Sequence, residues 1–396
     1  MEPHKVITWY DKKNTGAVGW IVIHNLINGV SGGGLFMSSS ASLQEVADLA
    51  YTMSLKNSLQ IPKLGGGKGG IKFDAEDPRA NDVLKRFLKD NIDIIKKYWS
   101  TGGDINTNTE DIENILINNS NLKSSFDCLE NMLQKNFNVK TCIDTFKKRL
   151  QKIEGPNISI SHAITGFSIY TTVENIVNTI SYKPKIIIQG FGKIGKAFCM
   201  YAKDKYNIIG ICERDWFISN SEGINVGYLL KNSFDTKMLE SLNLQQRMNN
   251  ETDVDFLCRF IQCNKADIFC PCATRYSITS GVLDSLINCT FSDLKFGNAY
   301  IVAGANNIFA SHDLIDRAFL SGIKVIPEWV SNSGAALLFL EALKQQQNVS
   351  NWNNYIKELV NDRISSFLFN AEYIAKKNNI NIYQACTQII QNEEVA

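Results

Sequence analysis

The sequence predicts an α/β protein whose second half is a doubly wound parallel sheet. Short runs of continuously apolar residues, at 185–189 and 208–212, are typical of parallel strands buried on both faces. Segments of helical periodicity alternate with such runs, which is the order that a parallel sheet with covering helices requires. Strand and helix signals also precede residue 155, so a first α/β domain is expected before the doubly wound one.

This first domain is predicted over residues 1–155. Residues 17–24 alternate in polarity and are rich in β-branched and aromatic types, which predicts a strand. Ser42 and Glu45 have the spacing of a capping box and open a predicted helix that ends near residue 58. Further helices are predicted over 80–98 and 110–118, with a polar loop over 101–108 between them, and the region 120–155 suggests no role.

The doubly wound domain is predicted over residues 156–335. It begins with a helix over 163–180, a strand over 185–189, a glycine turn and a helix from 194 to about 204. After Asn332 the pattern becomes helical, and residues 336–396 are predicted to form C-terminal helices that return to pack on the first domain. The remaining buried strands are predicted at 208–212, 267–270, 300–303 and 324–326.

Composition and charge exclude several classes of protein. Lys and Arg number 41 and Asp and Glu number 40, a net charge of +1 that argues against a nucleic-acid partner gripped through many phosphates. No apolar run reaches the length of about 18 residues that a membrane span needs, and the N-terminus lacks the apolar stretch of a secretory signal. The ten cysteines are scattered, as the free thiols of a cytoplasmic protein are. No CxxC spacing occurs, so no metal site is expected.

A glycine motif follows the predicted strand at 185–189. Gly190-Phe191-Gly192-Lys193-Ile194-Gly195 has the GxGxxG pattern, with a strand before it and a helix after it. The first glycine permits a tight turn, the second lets a pyrophosphate approach the backbone, and the third lets the helix pack closely. The alternative is a glycine turn that binds nothing. The surrounding strand and helix favour a Rossmann-type dinucleotide-binding domain.

An acidic residue lies where such a domain binds the adenosine ribose. Glu213 stands 23 residues after Gly190, at the end of the next predicted strand. A carboxylate there favours NAD because it repels the 2′-phosphate of NADP. Arg214 beside it could accept that phosphate, so NADP stays open as the less favoured cofactor.

Three charged residues stand in unusual sequence surroundings. Lys56 continues the apolar face of the helix that ends near residue 58, and it either meets an anion or suits the helix C-terminus as a cation. Lys68 has glycines on both sides over 65–70, so it is either a base close to substrate or a solvated lysine in a flexible loop. Asp104 follows two glycines and is either a functional carboxylate or a turn residue.

Taken together, these residues and their spacing resemble the Glu/Leu/Phe/Val amino-acid dehydrogenase family, from about residue 17 to 345. The motifs that carry the resemblance are Met53-Ser54-Leu55-Lys56-Asn57, Leu64-Gly65-Gly66-Gly67-Lys68-Gly69-Gly70, Gly103-Asp104-Ile105, Thr165-Gly166-Phe167, the GxGxxG turn, Pro271-Cys272-Ala273, Ala303-Gly304-Ala305-Asn306-Asn307 and Pro327-Glu328-Trp329-Val330-Ser331-Asn332-Ser333-Gly334.

The resemblance implies reversible, nicotinamide-dependent oxidative deamination of an L-amino acid to a 2-oxo acid and ammonia, in a homo-oligomer. Lys56 would hold the substrate carboxylate, Lys68 would activate the attacking water, and Asp104 would exchange protons with the amine. With Lys56, the substrate-binding residues implied are Gly33, Gly34, Met53, Asn332, Ala336 and Phe339. The cofactor-binding residues implied are Thr165, Gly190, Phe191, Gly192, Lys193, Ile194, Gly195, Glu213, Cys272, Ala273, Ala303, Gly304 and Asn306.

Departures from the family pattern bear on the substrate. Glutamate-specific relatives resemble Lys-Gly-Gly-x-Arg where this chain has Gly32-Gly33-Gly34-Leu35-Phe36, so the side-chain carboxylate of glutamate lacks its expected partner. Leucine-type relatives carry bulkier residues at Gly32, Gly102 and Ala336, and smaller residues should enlarge the pocket. The resemblance therefore implies a large apolar or aromatic amino acid such as phenylalanine or tryptophan. Because Phe339 could fill part of that space, leucine and valine stay open.

Two other functions fit parts of the pattern. One is a catalytically silent relative that binds nucleotide and acts in regulation or assembly, which the presence of Lys56, Lys68 and Asp104 argues against. The other is a reductase of 2-oxo acids that needs no ammonia. The glycine-flanked lysines favour the amino-acid reaction over this alternative.

Overall fold

The computed structural model describes residues 2–133, 158–177, 183–231, 244–290, 299–344 and 351–395. The chain divides into two compact units, Met1–Lys148 with Phe339–Asn348, and Arg149–Leu338 with Val349–Ala396. The predicted boundary at residues 155 and 156 lies outside the described residues. No described helix has the length and apolar character needed to cross a membrane.

The described part of the first unit combines a mixed sheet with helices on both of its faces. The strands are β1 (Lys5–Tyr10), β2 (Val18–Ile23), β3 (Ser31–Gly32), β4 (Leu35–Ser38), β5 (Gly65–Lys72) and β6 (Trp99–Ser100). The helices are α1 (Leu43–Asn57), α2 (Ala80–Asp90), α3 (Ile92–Lys97), α4 (Thr109–Asn119) and α5 (Glu130–Leu133), with a 3₁₀ turn at Asp127–Leu129 before α5.

These strands follow the order β1-β2-β5-β3-β6, and β4 also pairs with β5. The predicted strand at 17–24 is confirmed as β2, and Ser42 is confirmed as the N-terminal cap of α1, because its Oγ accepts the N–H of Glu45 at 3.2 Å. The single helix predicted over 80–98 is wrong. Asn91 separates α2 from α3, and its side-chain amide donates to the Phe87 carbonyl at 2.8 Å.

Strand β5 lies at the centre of this sheet although glycine is a poor strand former. A Cβ on Gly66 would lie 2.2 Å from the Ser54 nitrogen in α1, and a Cβ on Gly69 would lie 2.5 Å from the Trp99 ring. Neighbours on both faces therefore come so close that only glycine fits. The interpretation of 65–70 as a flexible loop with a solvated lysine is wrong.

The described part of the second unit has a seven-stranded sheet in the order β10-β9-β8-β7-β11-β12-β13. Its strands are β7 (Lys185–Gln189), β8 (Asn207–Cys212), β9 (Trp216–Ser219), β10 (Gln245–Gln246), β11 (Ile268–Pro271), β12 (Ala299–Val302) and β13 (Ile323–Ile326). Its helices are α6 (Ile160–Val177), α7 (Lys193–Ala202), α8 (Val226–Lys231), α9 (Asp253–Gln262), α10 (Ser280–Thr290), α11 (Asp313–Leu320), α12 (Glu328–Ser331), α13 (Gly334–Lys344), α14 (Trp352–Asn378) and α15 (Ile382–Val395).

Strands β8, β7, β11, β12 and β13 are parallel, so the predicted doubly wound sheet is confirmed. The antiparallel strands β9 and β10 at one edge were not predicted. The chain order reverses beside β7, because β8 lies on one side of it and β11 on the other. In open α/β sheets this point, at the carboxyl ends of the strands, is where ligands bind.

The C-terminal helices divide between the two units. Residues Phe339–Asn348 belong to the first unit, as predicted for the whole C-terminal region. The prediction is wrong for α14 and α15, which pack within the second unit. Phe367 of α14 lies 5.7 Å from the Trp329 ring, and Asn381, just before α15, donates to Asp316 of α11 at 3.0 Å. Apolar side chains such as Ile364 and Leu368 bury this side of α14 against the second unit.

Candidate functional site

A lysine and an aspartate form an ion pair in the first unit. Lys68 extends from the central strand β5 and is buried, with 4% of its surface exposed. Its Nζ donates to Oδ2 of Asp104, which comes from the loop between β6 and α4. The Asp104 side chain is 31% exposed, so the pair joins a buried cation to a carboxylate that solvent or a ligand can reach.

The loop holds the Asp104 carboxylate in a defined orientation. Oδ1 accepts the N–H of Ile105 at 2.8 Å, while the N–H of Asp104 donates to Thr107 Oγ1 at 3.0 Å. The N–H of Gly103 donates to Thr109 Oγ1 at 3.0 Å, which ties the loop to the first residue of α4. With Oδ2 on Lys68, both carboxylate oxygens are fixed before any ligand binds.

The predicted residues Gly33 and Gly34 lie beside this pair, between β3 and β4. A Cβ on Gly33 would lie 1.8 Å from the Gly67 carbonyl oxygen and 3.1 Å from Cγ of Met53. A Cβ on Gly34 would lie 3.1 Å from Cβ of Asp104. Main chain therefore packs closely beside the ion pair, and Met53 of α1 lies next to Gly33. Lys56, also on α1, is buried at 8% exposure.

Gly32 borders an apolar side chain that sequence reasoning missed. A Cβ on Gly32 would lie 2.6 Å from Cδ1 of Leu64, which is 3% exposed. The Asn57 amide holds the backbone on both sides, donating to the carbonyls of Gly32 at 3.0 Å and Gly65 at 2.8 Å. Leu64 thus occupies the space into which any side chain at position 32 would project.

Phe339, another predicted substrate-binding residue, contacts an aromatic ring of the first unit. Its ring centroid lies 4.8 Å from that of Phe126, in an edge-to-face arrangement. Phe126 is 2% exposed and belongs to the region 120–155, for which the sequence suggested no role. Ala336, three residues before Phe339 on α13, belongs to the second unit.

The glycine turn of the second unit has the predicted form. Gly190 has φ +93°, a conformation that favours glycine, and a Cβ on Gly195 would lie 2.0 Å from the Gly190 carbonyl oxygen. A Cβ on Gly192 would meet nothing within 4 Å. This open backbone stands at the N-terminus of α7, together with Phe191, Lys193 and Ile194, so the residues present fit a dinucleotide pyrophosphate.

The carboxylate of Glu213 lies against this turn. Its Oε1 accepts the N–H of Phe191, which links the end of β8 to the glycine motif. Arg214 is exposed. The remaining predicted cofactor residues lie close to the turn or to one another. Ala273 would lie 2.8 Å from a Cβ on Gly190, and Cys272 Sγ would lie 2.7 Å from a Cβ on Gly304.

Asn332 connects several of these residues. Its amide donates to the Gly304 carbonyl at 3.2 Å and to Asn306 Oδ1 at 2.9 Å, while its Oδ1 is buried with no hydrogen bond to the described residues. The Ala303 carbonyl accepts a hydrogen bond from the hydroxyl of Ser331, the last residue of α12. Thr165 is buried on α6 and donates to the Ser161 carbonyl at 2.9 Å.

Cys272 has a buried thiol. Burial raises the pKa of this thiol to about 12, so it stays protonated at neutral pH. Among the described residues, no group of three or more His, Cys, Asp or Glu side chains could hold a metal ion.

Two family profiles and several known proteins are similar to this chain. The family profile described as Glutamate/Leucine/Phenylalanine/Valine dehydrogenase matches residues 158–396, and the one described as Glu/Leu/Phe/Val dehydrogenase, dimerisation domain, matches residues 3–120. Among curated relatives, an NADP-specific glutamate dehydrogenase of Saccharolobus shibatae is 26% identical over 92% of this chain and 79% of its own length. One from Chlorella sorokiniana is 24% identical, over 93% and 68%.

Solved structures share the fold at low identity. A hetero-hexameric glutamate dehydrogenase from Thermus thermophilus in a Leu-bound form superposes with a TM-score of 0.69 at 14% identity, covering 98% of this chain and 89% of that one. An L-tryptophan dehydrogenase from Nostoc punctiforme superposes with a TM-score of 0.60 at 16% identity, covering 98% and 94%. The two profiles together account for most of the sequence, and the chain belongs to the Glu/Leu/Phe/Val family of amino-acid dehydrogenases.

Proposed function

We propose that this dehydrogenase catalyses the reversible oxidative deamination of a large apolar or aromatic L-amino acid, with Lys68 and Asp104 as its catalytic residues. The observation that carries the proposal is the ion pair between the buried Lys68 and the partly exposed Asp104. A cation and a carboxylate in contact can share the proton transfers that the reaction needs. Lys56, buried near the end of α1, is proposed to bind the substrate carboxylate.

The proposed chemistry assigns each proton to a group. The chemistry that a nicotinamide cofactor supplies when bound is reversible acceptance of a hydride from the substrate Cα. Lys68 first passes a proton to the Asp104 carboxylate and, as the neutral amine, then takes up the proton of the water that adds to the imino acid. Asp104 gives a proton to the departing amine, so that ammonia leaves and the 2-oxo acid remains. The fixed orientation of both groups lowers the entropic part of the barrier.

The proposed apolar character of the substrate rests on the surroundings of Gly32 and Phe339, where Leu64 and Phe126 lie. The larger pocket expected at Gly32 is not found, because Leu64 fills the space beside it. The large size of the substrate is proposed from the small residues at Gly102 and Ala336. No lysine stands at position 32 to pair with the side-chain carboxylate of glutamate. This proposal differs from the names of the curated relatives above, which are glutamate dehydrogenases, and the tryptophan dehydrogenase shares the fold.

We further propose NAD as the preferred cofactor and a homo-oligomer as the working form. The Glu213 carboxylate, held by the N–H of Phe191, would repel a 2′-phosphate at the ribose position. The curated relatives described above are named NADP-specific, so both cofactors need testing. Strand β1 forms an edge of the first sheet, and the N-terminal profile is described as a dimerisation domain.

A substrate panel tests this function. Purified protein is mixed with phenylpyruvate, indolepyruvate, 4-methyl-2-oxovalerate or 2-oxoglutarate, with NADH or NADPH, and with or without ammonia, and oxidation of the cofactor is followed by absorbance. We expect turnover that requires ammonia, is fastest with an apolar 2-oxo acid and prefers NADH. Turnover without ammonia would favour a 2-oxo acid reductase, and a preference for 2-oxoglutarate would overturn the proposed substrate class.

Position 32 offers a second test of the substrate class. Gly32→Lys alone should gain little activity on 2-oxoglutarate because Leu64 Cδ1 would lie 2.6 Å from the new Cβ. In Gly32→Lys/Leu64→Ala the lysine has room, and we expect the ratio of kcat/KM for 2-oxoglutarate over phenylpyruvate to exceed that of the single variant by about tenfold or more, as expected when a buried polar partner is matched. Leu64→Ala is the control, and equal ratios in the single and double variants would contradict the role of Leu64.

A further inference from the structure

A buried glutamate lies one helical turn beyond the start of α4. Glu113 is 1% exposed, and its Oε1 accepts hydrogen bonds from Ser124 Oγ at 2.9 Å and from both the N–H and the Oγ of Ser125. Its Oε2 is also buried and has no hydrogen-bond partner among the residues that the structure describes. The proposed reaction gives this carboxylate no part.

Packing alone does not explain why a carboxylate is buried at this position. Burying one costs free energy unless its charge is compensated, so an apolar side chain would be the less costly residue for packing alone. The hydrogen-bond donors of Ser124 and Ser125 compensate part of this cost. Without Glu113 they would be buried with no acceptor in its place, which is itself unfavourable. Glu113 therefore fixes the backbone and side chains of this serine pair.

The serine pair is connected to the loop that carries Asp104. The carbonyl of Ser125 accepts the N–H of Thr101 at 3.2 Å, three residues before Asp104. Thr109 lies four residues before Glu113, on the same helical face, and accepts the N–H of Gly103. One face of α4 thus holds the loop at two points, directly through Thr109 and through the serine pair by way of Glu113.

The serine pair is also connected to the Phe126–Phe339 contact. Phe126 follows Ser125 in the chain, and its N–H donates to Ser124 Oγ at 3.1 Å. The same hydroxyl donates to Glu113, so the position of the Phe126 backbone depends on the carboxylate. The ring of Phe126 then packs edge-on against Phe339 at 4.8 Å.

We infer that Glu113 is a positioning residue that sets the preference for bulky apolar substrates, by holding Phe126 and the Asp104 loop in one arrangement. It touches neither substrate nor cofactor and acts through the serine pair. The inference rests on the proposed function and adds one residue to it. Glu113 contributes by fixing the orientation of the Phe126 ring relative to the Asp104 carboxylate.

The test compares Glu113→Met with Glu113→Gln. Methionine keeps much of the volume and removes the oxygen acceptor, whereas the glutamine carbonyl can accept the same three hydrogen bonds. For each protein, kcat and KM are measured with phenylpyruvate and with the smaller 2-oxobutyrate, in the presence of ammonia and NADH. In Glu113→Met we expect the kcat/KM ratio of the large over the small substrate to fall about tenfold, mainly through KM for phenylpyruvate. Glu113→Gln should stay within about threefold of the wild type.

Ser125→Ala provides a second, milder variant. It removes one donor to Glu113 and should lower the same ratio by about two- to fivefold, so it carries the test if Glu113→Met does not fold. A purely structural role would lower the melting temperature and reduce kcat for both substrates alike. An unchanged ratio in the variants that fold, with the wild type active, overturns this inference alone. Absence of turnover in the wild type with every 2-oxo acid overturns the proposed function as well.

Discussion

Replacing Lys68 with alanine is expected to lower the rate of ammonia-dependent amination by about 100- to 10,000-fold, the range that loss of a positioned acid–base group produces. The variant loses the group proposed to activate water and removes the cation that is paired with Asp104. Binding of NADH should stay close to that of the wild type, because the glycine turn proposed to bind it belongs to the other unit. Steady-state rates and NADH fluorescence titrations measure the two quantities.

Lys72→Ala is the matched control for this variant. Lys72 lies on the same strand, β5, but its side chain is exposed at the strand end. Its replacement removes the same charge and should leave the rate within about twofold of the wild type, as surface substitutions usually do. If Lys68→Ala retained most of the wild-type rate, the catalytic role proposed for Lys68 would be wrong.

The second large effect is expected for Gly195→Ala. The new Cβ would lie 2.0 Å from the carbonyl oxygen of Gly190. This oxygen is part of the turn, so relief of the clash displaces the turn. Overpacking of this kind costs about 1–3 kcal/mol or more and should lower the melting temperature by several degrees. Because the turn shifts, we expect the Kd for NADH to rise even at temperatures where the variant is fully folded. Thermal melts and fluorescence titrations separate the two effects.

Gly281→Ala supplies the comparison for this substitution. Gly281 lies in α10 of the same unit, and a Cβ there would meet only Val254 at 3.9 Å, an ordinary contact. Alanine favours the helix over glycine, so the melting temperature should stay the same or rise slightly while NADH affinity does not change. Wild-type NADH affinity in Gly195→Ala would contradict the assignment of the turn as the cofactor site.

Local sequence patterns were sufficient to predict the strand, glycine turn and helix that begin the sheet of the second unit. The apolar run before Gly190, the glycine spacing and the following helix are all determined by neighbouring residues, and the structure has them within two residues of the prediction. The two-residue edge strand β10 is too short to show a periodic signal, and its pairing with β9 joins segments distant in the sequence. The four-residue β9 follows β8 directly, without a helix between them, so it lies outside the alternation of strands and helices on which the prediction rested.

The first unit was harder to predict from the sequence because its central strand, β5, lacks the usual signal of a strand. Glycine is depleted in strands, so the run at 65–70 indicated a loop, and only the close approach of α1 and Trp99 explains the strand. The family resemblance indicated Lys68 and Asp104 as site residues, and the structure places them in an ion pair. Leu64 belonged to a family motif but received no role, and Phe126 and Glu113 had no signal of their own, since each matters through a contact with a residue far away in the sequence.

The glycine content of β5 has a consequence for how selectivity can change in evolution or engineering. The wall beside Lys68 is almost entirely main chain, and the neighbours leave no volume for a larger residue along it. Substitution of these glycines can therefore disrupt the enzyme but offers no route for changing its selectivity. New specificities must instead come from side chains outside these glycines, such as Leu64 and Phe126, whose exchange leaves the main chain of the strand in place.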